Sequence, residues 1–154
     1  MKFSEKYNDD AYIESKDQRK IVVLQDPKGG SSKYIRDNIQ EKGIIVYRID
    51  NCILKDQNVK KCDYGLYATD NDTLRLIELK GSDHENAVKQ IINTFEKIIQ
   101  KPTIDIYRVC GRIVLSRKRV PAIKSNNEKK LIKLLLGKNG DLITKVRLLK
   151  EKIK

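Results

Sequence analysis

Residues 61–81 read KCDYGLYATDNDTLRLIELKG, and their pattern is the most informative in the sequence. Apolar residues recur within 63–68 and 73–80, which predicts two β-strands. Between them, 69–72 contains only Thr, Asp and Asn, the residue types that favour a reversal of the chain. The two strands are therefore expected to form an antiparallel hairpin.

The centre of this hairpin determines which side chains face each other. A turn centred between Asp70 and Asn71 places Asp63 directly opposite Glu78, with Cβ atoms roughly 4.5–5.5 Å apart. A register shifted by one residue would break this pairing, because it would move one of the two side chains to the other face of the sheet.

The expected pairing brings together residues with a defined chemistry. Two opposed carboxylates repel each other unless positive charge lies between them, and a divalent cation meets that requirement. Mg²⁺ prefers oxygen ligands and keeps coordination sites open for a substrate phosphate. Lys80, two residues after Glu78, lies on the same strand face and is placed to assist an attacking water. Asp63, Glu78 and Lys80 together indicate phosphodiester hydrolysis.

The rest of the chain predicts an α/β fold with a central mixed sheet flanked by helices. Helix boundaries are inferred from capping chemistry at serines and glycines, and strands from short apolar runs. The tail from residue 141 fits an amphipathic helix or, in part, a strand. The other expected elements are strands at 21–25, 44–49, 104–109 and 112–115, and helices at 32–42, 82–101 and 125–137.

A chain of 154 residues is expected to form a single domain, 1–154. Residues 1–20 are polar and predict an arm or short helix. Residues 30–116 predict the core, and 117–154 a basic C-terminal helical region.

Charge is distributed unevenly along the chain. The net charge is +12, and residues 112–154 hold 14 of the 33 Lys/Arg but only 3 of the 21 Asp/Glu. A one-sided basic surface attracts polyanions, so DNA is the expected partner. The candidate contacts are Lys33, Arg117, Lys118 and Arg119. Charge alone leaves an acidic membrane surface or an acidic protein open as alternatives.

Neither targeting nor membrane insertion is expected. No segment approaches the roughly 20 apolar residues that span a bilayer, and the polar N-terminus does not resemble a signal peptide. The three cysteines, Cys52, Cys62 and Cys110, match no metal-ligand spacing. A cytoplasmic protein with free thiols is the expectation.

Asp63 followed by Glu78-Leu79-Lys80 resembles the signature of the PD-(D/E)xK, or restriction-endonuclease-like, nucleases. The resemblance implies a Mg²⁺-dependent endodeoxyribonuclease with a restriction-endonuclease-like core. Asp63, Glu78 and the carbonyl of Leu79 would bind Mg²⁺ (or Mn²⁺), and Lys80 would assist catalysis. It also implies that the following helix presents a glutamine to the site, and Gln90 occupies that position.

The resemblance covers residues 30–116. Within the superfamily, the sequence pattern resembles that of archaeal-type Holliday-junction resolvases. Those proteins open their first helix with a Gly-Ser-Ser run like residues 30–32. Two departures stand out: residues 33–35 lack the acidic residue expected there, and Cys62 replaces the proline before Asp63. Many members of the superfamily dimerise, so a homodimer is also implied.

Two alternative hypotheses of function remain. A catalytically inactive nucleic-acid-binding module of the same fold would bind DNA without regard to metal. A basic protein-interaction domain would bind its partner in a way that is insensitive to salt.

Overall fold

The computed structural model describes residues 2–27, 29–38, 42–50, 53–54, 61–80, 83–101, 103–117 and 123–152, with the side chain of Lys80 left out. Three helices and nine strands follow one another in this part of the chain. The helix His84–Thr94 continues directly into a π-helical turn, Phe95–Ile99. The elements are α1 (Phe3–Lys6), β1 (Ile13–Asp17), β2 (Ile21–Gln25), β3 (Lys33–Asp37), β4 (Ile44–Arg48), β5 (Tyr64–Ala68), β6 (Thr73–Lys80), α2 (His84–Thr94), β7 (Arg108–Leu115), α3 (Asn126–Leu136), β8 (Leu142–Val146) and β9 (Leu148–Lys152).

The strands form two sheets. A six-stranded mixed sheet has the order β1-β4-β5-β6-β7-β8, with antiparallel pairs from β1 to β6 and parallel pairs from β6 to β8. The second sheet, with the order β2-β3-β9, has three strands. The expected α/β class with a mixed sheet and flanking helices is confirmed.

Each face of the large sheet buries its own hydrophobic core. On one face the helices contribute Phe3, Ile91 and Leu131, which pack with Leu74 and Leu76 of β6. On the other face the small sheet contributes residues such as Val22, Tyr34 and Leu149, which pack with Leu66, Ile77 and Val114. The molecule therefore has three layers: helices, large sheet and small sheet.

The helix predicted at 32–42 is wrong, because residues 33–37 form strand β3. Tyr34 and Arg36 are buried while Lys33 is exposed, which is the two-residue periodicity of a strand. The chain pairs with β2 on one side and β9 on the other. These long-range partners override the local helix-capping signal, and residues 39–41 lie outside the described part of the chain.

The N-terminal arm is more structured than its polar composition predicts. Phe3 in α1 is fully buried and contacts the rings of Tyr7, Tyr47 and Tyr67. A 3₁₀ turn at Asp10–Tyr12 then leads into β1, which forms an edge of the large sheet.

Two expectations for the second half of the chain are also corrected. The predicted strands at 104–109 and 112–115 are replaced by one strand, β7, which begins only at Arg108, and Gly111 lies inside it rather than at a turn. A Cβ at Gly111 would lie 3.0 and 3.1 Å from the side chains of Leu142 and Leu135, so a small residue is needed for packing. The helix that begins after Ser125 is confirmed as α3, but β8 and β9 follow it, so 117–154 is not wholly helical.

Gly140 provides a test of this packing. A Cβ at Gly140 would collide with the main-chain carbonyl of Val109, which has little freedom to move. We expect Gly140→Ala to lower the free energy of unfolding by about 2–3 kcal/mol in chemical denaturation. Gly137→Ala is the matched control, since its Cβ would lie 3.4 Å from the Leu134 carbonyl. Its effect should stay under about 1 kcal/mol; equal stabilities for both variants would contradict the structure.

None of the helices in the described segments is long and apolar enough to cross a membrane.

Candidate active site

The β5–β6 hairpin has the register that the sequence predicts. Tyr64 pairs with Ile77, and the pairing continues without a bulge to Ala68 and Thr73. Asp63 directly precedes β5, so the same register places it opposite Glu78. Along β6, Leu74 and Leu76 face the helices, and a strand alternates its faces, so Glu78 also lies on the helix side of the sheet.

Hydrogen bonds hold the two acidic residues against each other. The Asp63 N–H donates to Glu78 Oε1 at 3.1 Å, and the Leu79 N–H donates to Asp63 Oδ2 at 3.0 Å. Glu78 is only 2% exposed, whereas Asp63 is half-buried. Each carboxylate therefore accepts a hydrogen bond from the main chain of the opposite strand, which fixes both groups at the end of the hairpin.

Helix α2 anchors the segment that leads into Asp63. Gln90 Nε2 donates to the Lys61 carbonyl at 3.1 Å, and the Cys62 N–H donates to Thr94 Oγ1 at 3.0 Å. Gln90 thus contacts the main-chain segment that leads into Asp63. Its Oε1 atom is buried and has no hydrogen-bond partner within the described part of the molecule.

We expect the Thr94 contact to be measurable in stability. Thr94→Val keeps the shape of the side chain but leaves the buried Cys62 N–H without its acceptor. The free energy of unfolding should fall by about 1–3 kcal/mol. Thr94→Ser retains the hydroxyl and should lose less. Urea unfolding of both variants checks this, and a Thr94→Val protein as stable as the parent would show that this anchor is unimportant.

Cys62 does not add a thiolate to the site. Burial and then the negative charges of Glu78 and Asp63 raise the pKa of the fully buried Cys62 thiol well above its usual value. Among the described residues, no cluster of three or more His, Cys, Asp and Glu is placed to hold a metal ion. Asp63 and Glu78 are therefore not joined by a third such residue in these segments. Lys80 ends β6, two residues beyond Glu78.

Of the four predicted basic residues, Lys33 and Arg117 are described by the structure, and both lie near the ends of β6 and β7, where Lys80 pairs with Leu115. In the parallel ladder Lys80 pairs with Leu115, the last residue of β7, and Arg117 follows it as an exposed side chain. The Arg147 N–H donates to the Leu115 carbonyl, and the Lys33 N–H donates to the Arg147 carbonyl. Main-chain contacts thus bring Lys33, Arg147 and the chain that leads to Arg117 close together, and these three basic residues are called the basic edge. Lys118 and Arg119 lie outside the described residues.

Sequence reasoning missed Arg147. This exposed residue connects β8 to β9 with a positive φ of 71°. Because the tail was open to a helical interpretation, no turn was expected there. The only available signal was the alternation of apolar and basic residues on both sides of Arg147, which is typical of two short strands.

His84, the one histidine of the sequence, lies in the first turn of α2. It is buried, with Nε2 lying 3.4 Å from Glu128 Oε1 of α3 and 3.4 Å from Thr144 Oγ1 of β8. Asp83 caps the N-terminus of this helix, because its side chain accepts a hydrogen bond from the Asn86 N–H. His84 therefore joins α2 to its neighbours and is not part of the acidic pair.

A cavity of about 380 Å³ lies beside β2, and none of Asp63, Glu78 and Gln90 lines it. Tyr64, the residue after Asp63, lines it together with Glu14, Arg19 and Asp26. The Tyr64 hydroxyl donates to the Gln25 carbonyl at 3.3 Å, which connects β5 to the small sheet.

Comparison with known proteins gives no match: no family model, no curated protein and no solved structure resembles this chain at a significant level.

Proposed function

We propose that this protein is a Mg²⁺- or Mn²⁺-dependent nuclease that hydrolyses phosphodiester bonds in DNA. The observation that carries the proposal is the opposition of Asp63 and Glu78 at the end of the β5–β6 hairpin. Their main-chain hydrogen bonds hold both acids on one face of the sheet. Lys80 follows on the same strand, which completes the residue types needed for this chemistry.

The residues present fit a divalent cation. Two adjacent carboxylates, one of them buried, are costly unless a cation compensates them. Asp63 and Glu78 would hold the ion together with the main-chain carbonyl of Leu79. The Leu79 N–H already donates to Asp63 Oδ2. The buried Oε1 of Gln90 has no partner among the described residues and is suited to accept a hydrogen bond from a water molecule.

Each residue has a distinct part in the proposed reaction. The bound cation would polarise the phosphate and make an attacking water more acidic. Lys80 would orient that water and compensate the charge that develops on the phosphate. Gln90 would donate to the Lys61 carbonyl and thereby fix the main chain that leads into Asp63. Thr94 accepts the N–H of Cys62, the residue before Asp63. Helix α2 would therefore position the acids.

The basic edge is the surface proposed to hold the DNA backbone. If Lys33, Arg117 and Arg147 each contact one phosphate, replacing any of them with Gln should reduce the slope of log K against log salt by about 0.9 on duplex DNA. Lys138→Gln is the matched control, because Lys138 lies beside Val109 near the opposite end of β7. Fluorescence anisotropy across a salt series measures these slopes. Unchanged slopes for all three edge variants would rule out this surface.

Substrate preference is tested with labelled DNA. Linear duplex, single strand, flap and four-way junction are incubated with Mg²⁺, Mn²⁺ or EDTA. Metal-dependent cutting supports the nuclease, and the preferred DNA identifies the structure it recognises. Cutting of the junction alone would support resolvase-like specificity, whereas no cutting of any DNA with either metal would contradict the proposal.

An inactive DNA-binding module is the second candidate, favoured by the lack of a third acidic ligand near Asp63 and Glu78 within the described segments. Such a module would bind DNA in a salt-sensitive way, and neither metal nor Glu78→Gln would change its affinity.

A further inference from the structure

Three arginines are buried together between the two sheets, on the face of the large sheet opposite Glu78. Arg36 of β3, Arg75 of β6 and Arg112 of β7 are 1%, 5% and 2% exposed. Arginine is rarely buried to this extent without full pairing, because the transfer of a cation out of water is costly. The arginine cluster therefore requires compensation from nearby anions.

A single carboxylate oxygen serves all three guanidinium groups. Glu151 Oε1 of β9 lies 2.7 Å from Arg112 Nε, 3.6 Å from Arg36 Nη1 and 3.8 Å from Arg75 Nε. The same oxygen accepts a hydrogen bond from the Tyr34 hydroxyl at 2.8 Å. Burial raises the pKa of Tyr34, so this hydroxyl stays neutral and acts as a donor. This oxygen thus accepts hydrogen bonds from Arg112 and Tyr34, while the Arg36 and Arg75 nitrogens lie farther away, at ion-pair distance.

The positive charge of the cluster exceeds the negative charge around it. Within the described residues, its only other ion pair is between Arg112 and Asp141, whose side chain is half exposed. Arg36 Nε, Arg75 Nε and Arg75 Nη1 are buried and have no hydrogen-bond acceptor in the same residues. Burial and then the nearby Arg36 charge lower the pKa of Arg75, which is consistent with a cation that lacks compensation.

We propose that Arg36, Arg75 and Arg112 form a binding site for a phosphate-class oxyanion, and that the Glu151 carboxylate occupies part of this site in the absence of that ligand. A phosphate offers guanidinium groups the same paired oxygens as a carboxylate. A terminal phosphate group adds one further free oxygen and inorganic phosphate adds two, and the dianion carries more charge. It can therefore satisfy the N–H groups of Arg75 and Arg36 that Glu151 leaves without acceptors.

The position of Glu151 would allow its carboxylate to leave the arginine cluster and a phosphate to take its place. It belongs to β9, an edge strand of the small sheet, and its side chain is 14% exposed whereas those of the arginines are almost fully enclosed. Rotation of this one side chain toward solvent frees a carboxylate-sized volume beside all three guanidinium groups. The ligand is either free phosphate or the terminal phosphate of a nucleic-acid strand, since a phosphate within a strand cannot enter so enclosed a site.

The experiment measures binding of inorganic phosphate to the full chain by titration calorimetry. It also compares thermal unfolding in phosphate and in chloride of equal ionic strength. Phosphate should raise the Tm of the parent protein above its value in chloride. Arg75→Met should fold, because apolar replacement of a buried cation is often tolerated, and should weaken phosphate binding about tenfold or more. Arg19→Gln removes an equal charge from an exposed position and should leave phosphate binding unchanged.

Glu151→Ala separates a ligand site from a purely structural ion-pair network. Removal of the competing carboxylate should strengthen phosphate binding about tenfold or more. Oligonucleotides with a 5′-phosphate or a 5′-hydroxyl distinguish the sources of the ligand. An Arg75-dependent preference for the phosphorylated strand supports a strand end, and a response to inorganic phosphate alone supports the free ion. If neither form binds in an Arg75-dependent way, the cluster is structural and the proposal is overturned.

Discussion

Replacement of Glu78 by Gln is expected to weaken the binding of Mn²⁺ by at least about a hundredfold. Loss of even an indirect partner of a metal ligand typically costs about 10–100-fold in affinity, and Glu78 is proposed to be a direct ligand. Gln keeps an oxygen that can accept the Asp63 N–H, so the hairpin should remain intact. Asp63→Asn should have a similar effect for the same reason. Titration calorimetry with Mn²⁺ measures both affinities.

A second measurement checks that these losses are specific. Saturating Mn²⁺ should raise the Tm of the parent protein and leave the Tm of both variants unchanged. Glu96→Gln is the matched control, because Glu96 is an exposed carboxylate that pairs with Lys130 on the surface. It should bind Mn²⁺ like the parent protein. If Glu78→Gln also retained that affinity, the metal would have to bind elsewhere.

Lys80→Met is expected to separate catalysis from metal binding. The rate of DNA cleavage should fall by about a hundredfold or more, which is the range typical for loss of a group that assists proton transfer. The Mn²⁺ affinity should stay within about twofold of the parent value, since Lys80 is not a proposed ligand. Single-turnover cleavage and calorimetry on the same preparation measure the two quantities.

The control for Lys80→Met is Lys89→Met, which removes the same charge from an exposed position on α2. Its cleavage rate should match that of the parent protein. Parallel losses in both variants would show that Lys80 acts only through the overall charge of the molecule.

Local chemistry was sufficient to predict the hairpin that carries the acids. The polar residues at 69–72 and the apolar alternation on either side determine its register without help from distant parts of the chain. Helix α2 was predictable because its apolar residues recur at helical spacing and a proline follows its end. The position of Asp63 opposite Glu78 could therefore be predicted from the sequence alone.

Elements that depend on distant partners were not predictable in the same way. Strand β3 carries a helix-capping serine before it and becomes a strand because β2 and β9 pair with it. The tail was ambiguous until β7 supplied a partner for β8. The arginine cluster combines residues from β3, β6, β7 and β9, so no single window of sequence reveals it. Arg147 joins Lys33 only through these same long-range pairings.

Cleavage of end-labelled DNA by the parent protein and by Glu78→Gln, purified in parallel, tests whether the Asp63–Glu78 pair is a metal-dependent nuclease site. Both proteins are assayed with Mn²⁺, with Mg²⁺ and with excess EDTA, beside Glu96→Gln as the control. The proposed site predicts cutting by the parent and control proteins that EDTA abolishes, with no cutting by Glu78→Gln above the EDTA background. Cutting by Glu78→Gln at the parent rate, or by the parent in EDTA, would contradict it.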